Sequence, residues 1–288
     1  MPDGFLAAAA LLPPGLRSAA ETQPGAVKQR AEEFRLRMGR EPTILLPGGE
    51  QKLSQAAVTA ADLLAVLEIA TRASYHAVTD ELRLGYLSAP GGVRVGVCGT
   101  AVMERGIKTL RDISSLSVRI PRQIRGVGEA AVAAVKNSSV LIFSPPGGGK
   151  TTFLRELVRA VSDEGKRVSL CDERGEIAGV CGGMPQFDVG RCTDVLTGAP
   201  KSEGALLLLR AMNPEVVAMD EISAPEDART IETLLGCGVR IFATVHAAFA
   251  EELALRPACR SLIEQRAFQK FVRIGGSGAL RQYEVSDA

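Results

Sequence analysis

Continuous apolar runs and alternating stretches divide this chain into two parts. In the second part, short apolar strands at Val140–Phe143, Glu215–Met219 and Val239–Thr244 stand between segments with helical spacing. Strands that are buried on both faces have this continuous pattern, and their alternation with helices predicts a parallel sheet covered by helices. The other predicted elements are a strand at Arg167–Cys171, helices at Thr151–Val161, Ser202–Met212 and Pro225–Leu235, and a hairpin of Phe268–Ile274 with Leu280–Val285 at the sheet edge.

The first part alternates apolar and polar residues, which predicts antiparallel strands with one solvated face. The predicted strands are Arg35–Met38, Thr43–Leu46, Tyr86–Leu87, Val93–Val97 and Ala101–Met103, the last three separated by Pro90-Gly91-Gly92, Gly99 and Gly106. Helices are predicted in the N-terminal apolar run, at Ala26–Phe34, and at Ala60–Ala73 after Thr59. A linker with a helix at Gly128–Val135 follows, so we predict a smaller N-terminal α+β domain at residues 1–125 and an α/β domain at residues 126–288.

Composition and charge exclude only a few classes of protein function. Thirty-four Lys and Arg face 33 Asp and Glu among 288 residues, and a net charge of +1 gives no general argument for a nucleic-acid partner. The six cysteines lack CxxC spacing, so we expect reduced thiols in a cytoplasmic protein rather than disulfides or a zinc site. The N-terminal apolar run is too short to span a bilayer and follows no basic residue, which favours a packed helix.

The strongest chemical signal is a Pro/Gly loop directly after the strand Val140–Phe143. Its glycines can turn backbone N–H groups toward an anion, and the positive end of the following helix reinforces them. Lys150 can then reach the β- and γ-phosphates of a nucleotide, and the hydroxyl of Thr151 can ligate Mg²⁺. A plain glycine-rich turn would need neither residue. The predicted phosphate-binding residues are Ser144, Pro145, Pro146, Gly147, Gly148, Gly149, Lys150, Thr151 and Thr152, where Ser144 replaces the usual glycine.

Three other strand ends carry polar residues, and ligands bind at the carboxyl ends of strands in such sheets. Asp220 and Glu221 follow the strand Glu215–Met219 and match a Walker B element, with Asp220 holding Mg²⁺ and Glu221 activating water. Glu173 follows another strand, and His246 ends a third as a candidate γ-phosphate sensor. The alternatives are solvated acids and a hydrogen-bonded loop histidine. His76, the other histidine, is interpreted as structural.

Several longer blocks resemble a known family. EFRLRMGR, LGYLSAPGGVRVGVCGTAV, TLRDISSLSVRIPR, SPPGGGKTTFLREL, CDERGEIAG, RCTDVLTGAPKSEGALLLLRAMNPEVVAMDEI and FATVHA are similar to stage III sporulation protein AA, a family of ATPases of endospore-forming bacteria related to type II and type IV secretion motors. The resemblance implies a RecA-like P-loop domain with a Walker A loop at Ser144–Thr152, an acidic box at Asp172–Glu176, Walker B at Asp220 and Glu221, and a histidine box at Thr244–His246.

The same resemblance implies how such a protein acts. It implies a Mg²⁺-dependent ATPase that forms a hexameric ring, as the related motors do. The ring would lie at the mother-cell face of the engulfing membrane, where it would power a secretion-like channel through membrane partners. Arginines of the N-terminal domain would act on a neighbouring subunit's nucleotide, with Arg94, Arg111 and Arg119 as candidates. A nucleic-acid-stimulated motor and a slowly hydrolysing scaffold remain alternatives, although the absence of Trp disfavours single-strand binding.

Overall fold

The computed structural model describes residues 3–71, 82, 85–104, 106–276 and 280–288. The chain forms two compact units. Unit 1 comprises Met1–Arg122 and Gly179–Gln186, and unit 2 comprises Gln123–Ala178 and Phe187–Ala288. The domain limits predicted at residue 125 stay a prediction, and they would assign Gly179–Gln186 to the second domain.

Unit 1 contains an antiparallel sheet and short helices. Its strands are β1 (Glu33–Arg37), β2 (Thr43–Leu46), β3 (Gly49–Lys52), β4 (Tyr86–Ala89), β5 (Val93–Met103) and β6 (Ile107–Arg119), in the spatial order β3-β2-β1-β6-β5-β4. Its helices are α1 (Gly4–Ala9), α2 (Pro14–Glu21), α3 (Gly25–Arg30) and α4 (Ala60–Ala70).

The alternating sequence of β1 explains how this sheet is buried. Phe34 and Leu36 are fully buried, whereas Glu33, Arg35 and Arg37, which alternate with them, are half-buried. Phe5 of α1 packs edge-on against Phe34 with ring centroids 5.3 Å apart. The helices therefore supply one apolar layer against one face of the sheet, and the arginines of β1 lie on the other face.

Unit 2 contains a mostly parallel sheet with helices. Its strands are β7 (Val140–Ser144), β8 (Val168–Asp172), β9 (Thr193–Thr197), β10 (Val216–Met219), β11 (Arg240–His246), β12 (Lys270–Gly275) and β13 (Gln282–Asp287). Their order is β13-β12-β7-β11-β10-β8-β9, and all neighbours are parallel except the hairpin of β12 and β13. The helices are α5 (Glu129–Val135), α6 (Lys150–Asp163), α7 (Lys201–Met212), α8 (Pro225–Gly236), α9 (Ala250–Leu255) and α10 (Pro257–Glu264).

Three central strands of unit 2 are buried at every position, and β11 is buried at all but its first and last residues, as their continuous apolar sequences predict. All five residues of β7 and all five of β8 are buried, and so are all four of β10. Because β7, β11, β10 and β8 are adjacent and parallel, their carboxyl ends meet at one edge of the sheet. The predicted parallel sheet and the C-terminal hairpin at its edge are confirmed.

Some predicted elements are wrong in detail. The helix predicted at Ala26–Phe34 ends at Arg30, because Phe34 is needed in the core as part of β1. Gly99 does not divide two strands but lies in a bulge of β5, where a Cβ atom would approach the Arg111 carbonyl oxygen to 2.5 Å. Strands β3, β6 and β9 and helices α2, α9 and α10 have no counterpart among the predicted elements. His76 lies outside the described residues.

Within the described part of the chain, none of the helices has both the length and the apolar character needed to cross a bilayer.

Candidate functional site

The phosphate loop connects the buried strand β7 to the first turn of α6. Gly147 (φ +74°) and Gly149 (φ +101°) have left-handed backbone conformations that favour glycine, and Gly149 is the N-cap of α6. The Gly148 N–H donates to the Pro145 carbonyl and forms a turn inside the loop. This geometry turns the chain around the N-terminus of a 14-residue helix, where backbone N–H groups and the helix dipole attract anions.

Ser144, the departure from the usual glycine, is accommodated as the last residue of β7. It is fully buried, and its hydroxyl donates to the Pro145 carbonyl over 2.9 Å. A Cβ atom at Gly148 would lie 2.3 Å from Ser144 Oγ, so the serine requires a glycine four residues later. The Ser144 side chain thus occupies the space that is free because Gly148 has no Cβ atom.

Lys150 lies at the start of α6, and its side chain is buried inside the loop. Its Nζ donates to the carbonyl oxygens of Ser144 and Pro145 over 3.1 and 3.3 Å. His246 Nδ1, at the end of β11, lies 2.8 Å from the same nitrogen. Burial lowers the pKa of Lys150, while Asp220 and Glu221 raise it. The lysine is therefore a partly desolvated cation that an anionic ligand would stabilise.

A hydrogen-bonded chain links the helix to the ends of β10 and β11. Thr151 Oγ1 donates to Asp220 Oδ2 over 2.9 Å, and Thr244 Oγ1 donates to the other oxygen of Asp220. The Thr244 hydroxyl also accepts the Glu221 N–H over 2.8 Å. Thr151 and Asp220, the predicted magnesium ligands, are therefore within contact of one another.

Glu221 has an unusual backbone conformation for a glutamate. Its φ of +52° lies in the left-handed region, which costs about 1–2 kcal/mol for a residue with a Cβ atom. Its carboxylate accepts from Arg174 Nη1 over 3.0 Å, and its other oxygen lies 3.5 Å from His246 Nε2. Strain of this kind is maintained by surrounding contacts and concentrates at functional sites.

The segment after β8 is held by a buried ionic framework. Asp172 accepts the backbone N–H groups of Glu176, Ile177 and Ala178, and burial nevertheless raises its pKa. Arg155, on α6, donates to the carbonyl oxygens of Glu176 and Ile177, and burial lowers its pKa to about 10. The segment is thereby fixed to the helix that begins at the phosphate loop.

One cleft of about 390 Å³ is lined by eight of the sixteen predicted site residues, and Ser144, Pro145, Pro146 and Gly148 of the loop are not among them. Glu173 does not line it: its carboxylate lies 2.9 Å from Lys201 Nζ, in a small neighbouring cavity. The residues lining the cleft are Gly147, Gly149, Lys150, Thr151, Thr152, Arg174, Glu176, Asp220, Glu221, His246 and Arg281.

The three predicted trans-acting arginines belong to unit 1. Arg94 of β5 and Arg119 of β6 are paired across adjacent strands, so they project on the same face of the sheet. Arg94 lies 3.5 Å from the centre of the Tyr86 ring, and Arg119 Nε lies 3.3 Å from Glu33. Arg111 lies eight residues before Arg119 on β6, roughly 25 Å away at about 3.3 Å per residue.

Sequence reasoning missed Arg281 and the structural roles of Arg155 and Thr244. Arg281 lies in the tail, where the sequence only predicted a hairpin. Its place beside the phosphate loop follows from the pairing of β12 with β7, which is a long-range contact. Thr244 precedes His246 by two residues within the strand end that the sequence did single out.

This chain is similar in sequence to known proteins. The profile of the family described as "Sporulation stage III, protein AA" matches residues 10–282. "Stage III sporulation protein AA" of Bacillus subtilis (strain 168) is 36% identical over an alignment of 292 positions, which covers 97% of this chain and 94% of that protein.

Solved structures share the fold. The structure of the pilus retraction motor PilT with bound ADP matches with a TM-score of 0.65 and 15% identity, over 94% of this chain and 82% of that one. The Legionella pneumophila ATPase DotB matches with a TM-score of 0.56 and 14% identity, over 90% of this chain and 76% of that one. These likenesses confirm the predicted RecA-like P-loop fold.

Proposed function

This chain belongs to the stage III sporulation protein AA family, and from that premise we propose that it is a Mg²⁺-dependent ATPase that powers a secretion-like sporulation complex. The observation that carries the proposal is the cleft at the carboxyl ends of β7, β10 and β11. There a buried lysine at a helix N-terminus, a Thr–Asp pair and a strained glutamate lie together. A nucleoside triphosphate matches this combination of charges.

The nucleotide would bind through the loop Ser144–Thr152 and the Lys150 ammonium. The hydroxyl of Thr151 and the carboxylate of Asp220 are oxygen ligands of the kind that Mg²⁺ prefers, and they already lie 2.9 Å apart. Bound magnesium supplies neutralisation of the negative charge on the phosphates. The pair of residues therefore fits a metal that is brought in with the nucleotide.

Glu221 is the proposed base that takes a proton from the attacking water. The hydroxyl of Thr244 holds its backbone N–H, which keeps the strained φ and aims the carboxylate into the cleft. Arg174 pairs with this carboxylate over 3.0 Å. Glu173 remains a second catalytic candidate, although its carboxylate is paired with Lys201.

His246 is the proposed sensor of the γ-phosphate. If the Lys150 ammonium donates to Nδ1, the proton of the neutral ring lies on Nε2, which faces Glu221. The ring thus connects the phosphate-binding lysine to the proposed base. A phosphate that draws Lys150 away would free Nδ1 and change the contact between His246 and Glu221.

We extend the proposal to the assembly through the family resemblance. The protein would form a homo-hexameric ring at the mother-cell side of the engulfing membrane, bound peripherally to membrane components of the complex. Arg94, Arg111 or Arg119 would then act on the nucleotide of a neighbouring subunit. ATP hydrolysis at subunit interfaces would move the two domains and so perform work on the channel.

The test is specific ATPase activity measured against protein concentration. We expect activity per subunit to rise with concentration as rings form, and Lys150→Ala to abolish ATP binding. Glu221→Gln should retain ATP binding and lose turnover by about 10²- to 10⁴-fold. Glu164→Gln, which removes an exposed carboxylate on the same unit, is the matched control and should behave like the wild type.

Three results would count against parts of this proposal. Full turnover by Glu221→Gln would remove the base, and absence of ATP binding by the wild type would remove the nucleotide site. Salt-sensitive binding of single-stranded DNA with stimulated turnover would favour the nucleic-acid motor instead.

A further inference from the structure

The C-terminal hairpin brings an arginine to the phosphate loop. Strand β12 pairs in parallel with β7, the strand that leads into the loop, and β13 returns beside it. Arg281 immediately precedes β13, whose first residue, Gln282, pairs with Gly275. The part of the hairpin that carries Arg281 therefore lies at the same end of the sheet as the phosphate loop.

An aromatic contact fixes the position of this part of the hairpin. Tyr283 stacks on Phe153 with ring centroids 5.3 Å apart and an interplanar angle of 26°. Phe153 is fully buried in α6, three residues after Lys150. Since alternate residues of an extended chain share a face, Arg281 is directed to the same side as Tyr283, toward the start of α6.

The guanidinium lies against the glycines of the loop. A Cβ atom at Gly149 would be 2.9 Å from Arg281 Cζ and 3.0 Å from its Nε, so only glycine leaves room for this approach. Within the described residues, Arg281 makes one long hydrogen bond, from Nη2 to the Gly147 carbonyl over 3.5 Å. The Nε atom of Arg281 is buried, and none of the described residues accepts a hydrogen bond from it.

A buried donor without an acceptor calls for an explanation, because such groups are rarely left unpaired. A guanidinium has five N–H donors in a planar fork that matches the geometry of phosphate oxygens. Lys150, the other cation of the loop, is bound to two carbonyls and to His246. Arg281 therefore offers the less occupied set of donors in the cleft.

We propose that Arg281 is a phosphate-binding residue of its own subunit, which donates N–H groups to the outer phosphates of the nucleotide in this cleft. The inference rests on the proposed nucleotide site and adds a residue to it. It assigns a cation in cis from the C-terminal hairpin, in contrast to the arginines of unit 1 that are proposed to act in trans.

The test compares the dissociation constants of ATP, ADP and AMP, measured by competition against a fluorescent ADP on the full chain. We expect Arg281→Gln to weaken ATP and ADP by about 10- to 100-fold and AMP by much less, because charge-assisted hydrogen bonds to the outer phosphates are lost. Arg281→Lys should recover part of the loss. Lys270→Gln, which removes a positive charge at the other end of the hairpin, should match the wild type.

The outcomes separate this inference from the proposed function. If the wild type binds no ATP, the proposed function fails and the assignment of Arg281 fails with it. If the wild type binds ATP, Lys150→Ala does not, and Arg281→Gln binds normally, only the assignment of Arg281 is overturned. Equal losses for ATP, ADP and AMP would also overturn it, since they would point to a contact with the base, the ribose or the α-phosphate, which all three nucleotides share. The urea midpoint of Arg281→Lys should equal that of the wild type, which would show that a change in its nucleotide affinity does not come from misfolding.

Discussion

In the antiparallel sheet of unit 1, β1 alternates buried and half-buried residues, whereas in the parallel sheet of unit 2, β7 and β8 are buried throughout. The first arrangement leaves one sheet face on which polar side chains can lie in rows. The second leaves no such face, so polar side chains gather where the strands end. One-sided burial therefore explains why the arginines of unit 1 lie on a sheet face, and two-sided burial explains why the cleft of unit 2 lies at the strand ends.

The contacts of the arginines show the same difference. On the sheet face of unit 1, Arg37 is paired with Glu50 and Arg119 with Glu33. In the cleft, Arg281 lies on backbone of the phosphate loop and Lys150 on carbonyl oxygens. Side chains held by weak exposed ion pairs can change partner when a neighbouring subunit docks, whereas those of the cleft are held against the backbone of the phosphate loop.

The largest expected effect tests whether the two sets of arginines act on different subunits. We expect Arg119→Ala to lower turnover by roughly 10³-fold, the low end for an arginine that stabilises a transferring phosphoryl group. Mixing it with Lys150→Ala should restore activity, because one intact loop would meet one intact neighbouring arginine. Arg281→Gln mixed with Lys150→Ala should restore nothing, because every site would then lack one residue. ATPase assays of mixed preparations measure both.

Arg37→Ala is the matched control, because it removes an arginine from the same sheet face. If mixing Arg281→Gln with Lys150→Ala restored activity, Arg281 would act on the nucleotide of a neighbouring subunit and not on its own. If Arg119→Ala had no effect, Arg94 or Arg111 would be the candidates for the trans-acting arginine.

The second expected effect concerns burial itself. Leu141→Ala and Ile142→Ala, adjacent in β7 and both fully buried, should each lower the free energy of unfolding by about 2–5 kcal/mol. In β6, Leu116→Ala should cost a similar amount, but its neighbour Ser115→Ala about 0.5 kcal/mol or less. Urea unfolding of the four variants measures this. A tolerated change at either Leu141 or Ile142 would contradict the two-sided burial of β7.

These strands also show how far sequence reasoning extends. Continuous apolar runs predicted β7, β10 and β11, because burial on both faces leaves no polar position. Because parallel strands have their carboxyl ends at one edge of the sheet, the sequence also predicted that Asp220, Glu221 and His246 at these ends lie in one site. Strand β9, with the sequence TDVLT, lies at the sheet edge and is mostly half-buried, so its pattern carries no comparable signal.

The position of Arg281 could not be predicted for a different reason. No local spacing connects it to Gly149, which lies 132 residues earlier in the chain. The contact depends on which strand the C-terminal hairpin joins and on the stacking of Tyr283 with Phe153. Similarly, the left-handed conformation of Glu221 could not be predicted, because glutamate has no preference for it and the N–H of Glu221 donates to Thr244 of another strand.

The strain at Glu221 leads to a third expectation, of about 1 kcal/mol. Glu221→Gly should be more stable than Glu221→Ala by that amount, because only glycine adopts φ +52° without a steric cost. Both variants should lack turnover. The same pair at Glu226, in the first turn of α8, should show the opposite order, since alanine favours helix. Urea midpoints give the result, and greater stability of Glu221→Ala would mean that the backbone is not strained there.

The smallest expected effect lies on the sheet face of unit 1 and depends on pH. Hydrogen bonds from Arg37 and Thr43 lower the pKa of Glu50 to about 2. A carboxylate whose pKa is lower in the folded protein stabilises the fold above its unfolded pKa of about 4.3 and loses that contribution as pH falls toward 2. Because the pair is exposed, the contribution should be under about 1 kcal/mol.

Glu50→Gln isolates this contribution. The wild type should be slightly more stable than the variant at pH 6, and the difference should disappear as pH is lowered from about 4.5 to about 2. Added salt should reduce the difference at pH 6, since exposed charges are screened. A difference that persists undiminished at pH 2 would show that the Glu50 side chain acts by packing or neutral hydrogen bonds. Arg37 would then be held by more than an exposed ion pair.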